Sequence, residues 1–187
     1  MDERIRVSLN QGVADVRLVR GDKMNALDDA MFAALRRTGE KLKTMPGVRA
    51  VVLSGEGRAF CAGLDTTNFG KMASGKRAGE RLLQGKRTPG GANPPQHAVM
   101  VWRELPVPVI AAVHGVAYGG GFQIMLAADI RYIAADTKLS IMEINWGLVP
   151  DMGGMVLLRD LVRDDIAREL TYTGRVFDGN EALQIGL

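Results

Sequence analysis

Residues 5–9 alternate apolar and polar side chains, as does part of 13–19, and Asn10-Gln11-Gly12 lies between them. Period-two alternation on both sides of a glycine-containing turn predicts a β-hairpin. The spacing then lengthens. Asp28 is placed to cap a helix running to about Thr44, with Met31, Leu35, Leu42 and Met45 on one face and Pro46-Gly47 ending it. Residues 50–53 form a compact apolar strand, and 99–105 have the look of a helix. Pro106 and Pro108 lead into 109–113, a short, partly β-branched apolar run that suits a buried strand. Gly119, Gly120 and Gly121 precede a helical pattern over 122–128, carried by Phe122, Met125 and Leu126. A strand over 130–134, an extended piece over 138–143 and a loop over 145–151 follow. Helical stretches run from Gly153-Gly154 to about Leu161, over 166–172 and over 180–185. Strands separated by helices define an α/β layered fold, read as one domain over 1–187 with no internal sequence repeat.

The segment 70–96 breaks this pattern. Lys71, Lys76, Arg77, Arg81, Lys86 and Arg87 stand against the single acid Glu80, and the stretch is rich in Gly and Pro up to Asn93-Pro94-Pro95. It reads as a mobile, basic excursion with a helical turn near 81–83. The whole chain is only mildly basic, with formal net charge +3 and a sequence pI near 9.2, too weak a bias to argue for nucleic acid. At 187 residues, 47% hydrophobic and 24% charged, it can bury a real core. Its one cysteine, Cys61, excludes an intrachain disulfide and fits a reducing compartment. No apolar run reaches the ~18 residues of a membrane span, and the charged start MDERIRVSLN has no signal-peptide core. The expected setting is soluble and cytoplasmic, with no membrane partner.

The candidate chemistry is narrowed first by what is missing. Neither Gly55-Glu56-Gly57 nor Gly119-Gly120-Gly121 continues into a dinucleotide fingerprint, and no phosphate-binding Gly-Lys-Ser/Thr loop is present. His97 and His114 are the only histidines, so a zinc site lacks its ligand set and no metal is expected. Cys61 with His114 could form a thiol nucleophile pair, but a small packing cysteine is the simpler reading.

What remains comes in pairs. Gly63-Leu64 and Gly119-Gly120-Gly121 each follow an apolar strand, and each is either a plain tight turn or a place where backbone N–H groups meet an oxygen. Two such donors from separate loops can converge on one carbonyl as an oxyanion hole. Glu143 and Asp151 flank Trp146 and Pro150. Each is either an ordinary surface acid or, in a partly apolar pocket, a base working near neutral pH.

The order of these pieces carries a resemblance. Asn25-Ala26-Leu27, then 59–65 (AFCAGLD), 108–115 (PVIAAVHG), Gly119-Gly120-Gly121, Met142-Glu143-Ile144 and Gly147-Leu148-Val149-Pro150 together resemble the enoyl-CoA hydratase/isomerase (crotonase) superfamily, over about residues 5–187. The resemblance implies a spiral of repeated ββα units, assembled as a homotrimer or a dimer of trimers. It implies an acyl-CoA thioester substrate and no separate cofactor, coenzyme A being part of the substrate. The thioester carbonyl would lie between the N–H groups of Leu64 and Gly120, with Ala62, Gly63, Asp65 and Gly119 shaping the substrate and CoA side. Residues 181–187 resemble the point where relatives continue into further C-terminal helices, so that region is expected to be missing or truncated. Leu183, Ile185 and Leu187 would then lie near a bare apolar surface.

One departure from the family decides the chemistry. Its hydratases hold and activate water with two glutamates; Glu143 matches the second, and Gln123 stands at the first. An amide takes no proton at neutral pH, though it can hydrogen-bond a water or substrate. Double-bond isomerases of the family work with one carboxylate at the position of Glu143, and Asp151 resembles a second acid of the dienoyl-CoA isomerases. The expectation is therefore isomerisation with Glu143 as base, Asp151 and Gln123 assisting, rather than efficient hydration. The alternatives are a catalytically weak acyl-CoA-binding member and an RNA-binding member, the latter suggested by the basic 71–87 stretch.

Overall fold

The computed structural model describes residues 4–68 and 87–187. The expected helical turn near 81–83 lies outside them. The chain opens as the predicted hairpin, β1 (Ile5–Asn10) antiparallel to β2 (Val13–Leu18), with Asn10 opposite Val13. Gln11 and Gly12 both have positive φ at the turn, the two-residue geometry that matches strand twist. β3 (Ala50–Gly55), β4 (Val109–Val113) and β6 (Ile130–Ile133) then add in parallel, giving a five-stranded sheet in the order β1-β2-β3-β4-β6. A second sheet pairs β5 (Val116–Tyr118) with β7 (Lys138–Ser140). Single bridges extend that sheet on both sides: Cys61 to Ala117, and Leu139 to Phe177.

The path is a spiral. A strand of the large sheet feeds a short strand or bridge of the small sheet, and a helix follows before the next turn begins. β4, β5 and the helix α3 (Gly120–Leu126) make one such turn. The sequence pattern ran the 109–113 strand straight into the glycines; β5 is interposed between them. It has only three residues and exists through pairing partners distant in sequence.

The helix α1 (Asp29–Lys43) begins where expected, with the Asp28 carboxylate accepting from the Met31 N–H at 2.7 Å. Met31, Leu35 and Leu42 are buried, as the apolar face requires. It packs on α2 (Pro94–Arg103) at Gly39, where a β-carbon would stand 2.5 Å from Val101. This helix starts five residues earlier than the expected 99, inside the segment assigned to the excursion. Asn93 and Gln96 form a reciprocal capping box, and Pro94 and Pro95 occupy the first turn, whose N–H groups have no helical partner in any case.

The chain ends through α4 (Gly154–Arg159), α5 (Asp164–Thr173) and α6 (Gly179–Ile185). Ile185 and Leu187 pack against the core, so of the three apolar residues expected near a bare surface only Leu183 is exposed. Among the described residues no helix is long and apolar enough to cross a membrane.

Candidate active site

Two loops meet beside the small sheet. Gly63 has φ +86°, and a β-carbon there would lie 2.6 Å from the Tyr118 carbonyl oxygen and 3.6 Å from the Gly120 nitrogen. Gly121 is equally constrained, since a β-carbon would stand 2.2 Å from the Cys61 carbonyl oxygen. These glycines let two backbone segments touch.

The bonding of Leu27 aims Leu64. Its N–H donates to the Gly63 carbonyl at 2.8 Å, and its carbonyl accepts from the Asp65 N–H at 3.1 Å. In this parallel bridge the residue between them, Leu64, turns its own N–H to the opposite side. Neither that N–H nor the N–H of Gly120, the first residue of α3, makes a hydrogen bond among the described residues. Asn25 holds the supporting loop. It is fully buried with φ +55°, and its amide donates to the carbonyls of Glu56, Ala59 and Phe60 while accepting from the Arg20 N–H.

Glu143 sits in a 3-10 turn, Met142–Trp146, that replaces the end of the expected extended piece. It is 9% exposed. Its Oε1 accepts from Gln123 Nε2 at 2.7 Å, while its buried Oε2 has no hydrogen-bond partner among the described residues. Burial pushes its carboxyl above the ordinary range; its own backbone N–H and then the Gln123 amide pull it down, and the charge of Asp151 pushes it up. Gly119, with φ +49°, lies against this carboxylate and donates its N–H to the Ser140 carbonyl at 3.0 Å. Gln123 is 1% exposed, and its Oε1 accepts from the N–H groups of Met152 and Gly154, both at 2.9 Å.

The structure thus brings Glu143, Gln123, Gly119 and Gly120 together, with the Gly63-Leu64 loop against them. Asp151 is exposed on the neighbouring turn, close enough for its charge to act on Glu143. Asp65 is spent elsewhere: it pairs with Arg20 at 2.5 Å and accepts from the Thr67 N–H and hydroxyl. Burial alone would raise its carboxyl, but the Thr67 bonds and the Arg20 guanidinium outweigh it and hold it at about 2. Ala62 donates its N–H to the Met24 carbonyl, which ties it to the loop before α1.

Cys61 is a packing residue. Burial pushes its thiol up to about 12, and its Sγ donates to the Asn25 carbonyl. The His114 ring meets the Gly57 carbonyl rather than the thiol. Glu40, His97 and Glu104 bring possible metal-ligating atoms within 4.8 Å of one another, but the Lys43 ammonium bonds both carboxylates there. Sequence reasoning missed the roles of Asn25, Leu27 and the 152–154 turn: Asn25 stood out only as part of the Asn25-Ala26-Leu27 motif, while Leu27 and the turn act through backbone groups distant in sequence.

The α/β spiral and its two-loop site set a class, and comparison with known proteins gives it a family. A family model described as enoyl-CoA hydratase/isomerase matches residues 8–187. Over 186 residues the chain is 32% identical to the peroxisomal Delta(3,5)-Delta(2,4)-dienoyl-CoA isomerase of Arabidopsis thaliana, covering 99% of this chain and 67% of that one. It is 31% identical to the mitochondrial methylglutaconyl-CoA hydratase of Mus musculus, covering 95% of this chain and 54% of that one. Among solved structures, an enoyl-CoA hydratase from Bacillus anthracis aligns with a TM-score of 0.82 at 31% identity, over 98% of this chain and 68% of that one. The chain belongs to the enoyl-CoA hydratase/isomerase (crotonase) superfamily. It spans between about half and two thirds of the length of these relatives.

Proposed function

We propose that this protein is an acyl-CoA enzyme that shifts the double bond of an enoyl thioester, with Glu143 as the base. The observation that carries this reading is the state of the Glu143 carboxylate: buried, raised by its surroundings, and with Oε2 unpartnered among the described residues beside the glycine turn. In a 3-enoyl-CoA, Oε2 would take a proton from C2. The electron pair would flow toward the thioester oxygen, giving a dienolate between the N–H groups of Leu64 and Gly120. One such preorganised donor typically lowers the barrier by about 3 kcal/mol. Glu143 would return the proton at C4, leaving a 2-enoyl thioester: one C–H bond breaks, one forms, and the double bond moves. Gly63 and Gly119 keep the approach to the oxygen open, while Asp65 and Ala62 hold the loop. Asp151, whose charge acts on Glu143, would tune that base or serve as the second acid a dienoyl substrate needs.

Hydration is the second reading, favoured by the hydratases among the relatives. Against it stands Gln123, an amide with its oxygen already occupied. A non-catalytic acyl-CoA binder or an RNA-binding member would keep the fold without turnover, and of the basic 71–87 stretch that suggested RNA all but Arg87 lies outside the described residues. A panel of 2-enoyl-, 3-enoyl- and dienoyl-CoA thioesters, with products identified by mass and NMR, separates these outcomes. We also infer that the protein works as a homotrimer or a dimer of trimers. Val149, Val156, Tyr172 and Leu183 expose large apolar surfaces that association would cover. Light scattering reads this directly, and a stable monomer would contradict it.

A further inference from the structure

Gln123 makes more contacts than a passive replacement for a glutamate needs. Both lone pairs of its Oε1 are used, by the N–H groups of Met152 and Gly154, and its Nε2 donates to Glu143 Oε1. The amide therefore bridges the 142–146 turn and the start of α4 from inside α3. Gly154 fits this arrangement. A β-carbon there would stand 2.7 Å from both Cγ and Oε1 of Gln123, so only glycine lets the amide lie against the turn.

We propose that Gln123 is a positioning residue: its amide clamps one oxygen of Glu143, so that Oε2 alone is presented to the substrate. The inference rests on Glu143 being the base. It also explains why an amide serves this chain where a carboxylate would not. A second carboxylate 2.7 Å from the first would have to share a proton with it, and the base would no longer titrate alone. With both lone pairs of Oε1 taken, Gln123 has no acceptor left to orient a water. Asp151, outside the clamp, is the other acid whose charge acts on Glu143.

The test compares Gln123→Met, which removes donor and acceptor, with Gln123→Glu, which keeps the acceptor for the two backbone N–H groups and loses the donor. The readouts are kcat and KM for a 3-enoyl-CoA against pH, and the titration of Glu143 followed by NMR in protein labelled with glutamate carboxyl carbon-13. The Glu143 signal is assigned by its loss in Glu143→Gln. A clamp predicts that Gln123→Met lowers kcat by at least about tenfold with KM within about twofold. The acid limb of the profile and the Glu143 titration should both move to higher pH, since an amide donor favours the charged form. Gln123→Glu should give two coupled titration steps. Both variants are checked by thermal unfolding, and Gln123→Glu carries the test if Gln123→Met does not fold. A Glu143 titration unmoved in the folded variants overturns the clamp, whatever their stability. If Glu143→Gln keeps turning over the thioester, the reading of Glu143 as base fails instead, and the titration still judges the clamp.

Discussion

A β-carbon on Gly119 would stand 3.3 Å from Oε1 of Glu143. The turn residue thus leaves little room for a side chain beside the carboxylate, and the φ of +49° with ψ of −118° at Gly119 is one that side-chain-bearing residues rarely adopt. Gly119→Ala should cost about 1–3 kcal/mol of stability from backbone strain. It should also lower turnover by at least about tenfold, because the methyl group displaces the carboxylate. Chemical denaturation and steady-state kinetics on the same sample check both. An alanine variant of normal activity would mean that the Gly119 contact does not set the position of Glu143.

Glu143 should weaken the fold at neutral pH. Its carboxyl is raised by burial, so the folded state holds the proton more tightly than the unfolded chain does. Stability from this group is complete below the ordinary glutamate value and is lost as pH rises through the higher folded value. Glu143→Gln removes the charge and leaves an oxygen for the Gln123 amide to bond. The variant should therefore melt at a higher temperature than the wild type at pH 7, with the gap closing toward pH 4. Melting curves across that range test the sign, and a variant less stable at pH 7 would contradict it.

Restoring a second carboxylate should change the reaction. Gln123→Glu keeps an oxygen on the Met152 and Gly154 N–H groups and sets its other oxygen beside Glu143 Oε1, where the proton that the two carboxyls share can be passed to or from a water. Hydration of a 2-enoyl-CoA should rise above that of the native protein, which should be a poor hydratase. Native hydration already faster than that of the Gln123→Glu variant would remove Gln123 as the determinant.

Local signals account for what the sequence revealed of this fold. The hairpin turn, the Asp28 cap and the apolar face of α1 are each contained within a short stretch of chain, and they form as expected. β5 and the early start of α2 were hidden for opposite reasons. β5 is defined by partners at Cys61 and β7, while Pro94-Pro95 looks like a break unless the Asn93–Gln96 capping box is seen. The turns of the spiral repeat a backbone path rather than a side-chain pattern, so no sequence repeat betrays them. At the site, the glycine turn, Glu143 and Gln123 were legible as residue types. The Leu64 N–H was named as a donor only through the family resemblance; its outward turn, which Leu27 imposes through backbone bonds, was not legible in residue types. Nor was the commitment of Asp65 to Arg20, a pair 45 residues apart.

The role of Glu143 is tested most directly by product analysis of a 3-enoyl-CoA in deuterium oxide, with wild type and Glu143→Gln side by side and thioester binding measured on both. The wild type should form the 2-enoyl thioester. The variant should bind the thioester with similar affinity and turn it over at least ~100-fold more slowly, with deuterium entry at C2 lost in parallel. Turnover and exchange near the wild-type rate in Glu143→Gln would contradict the assignment of Glu143 as the base and move it to Asp151.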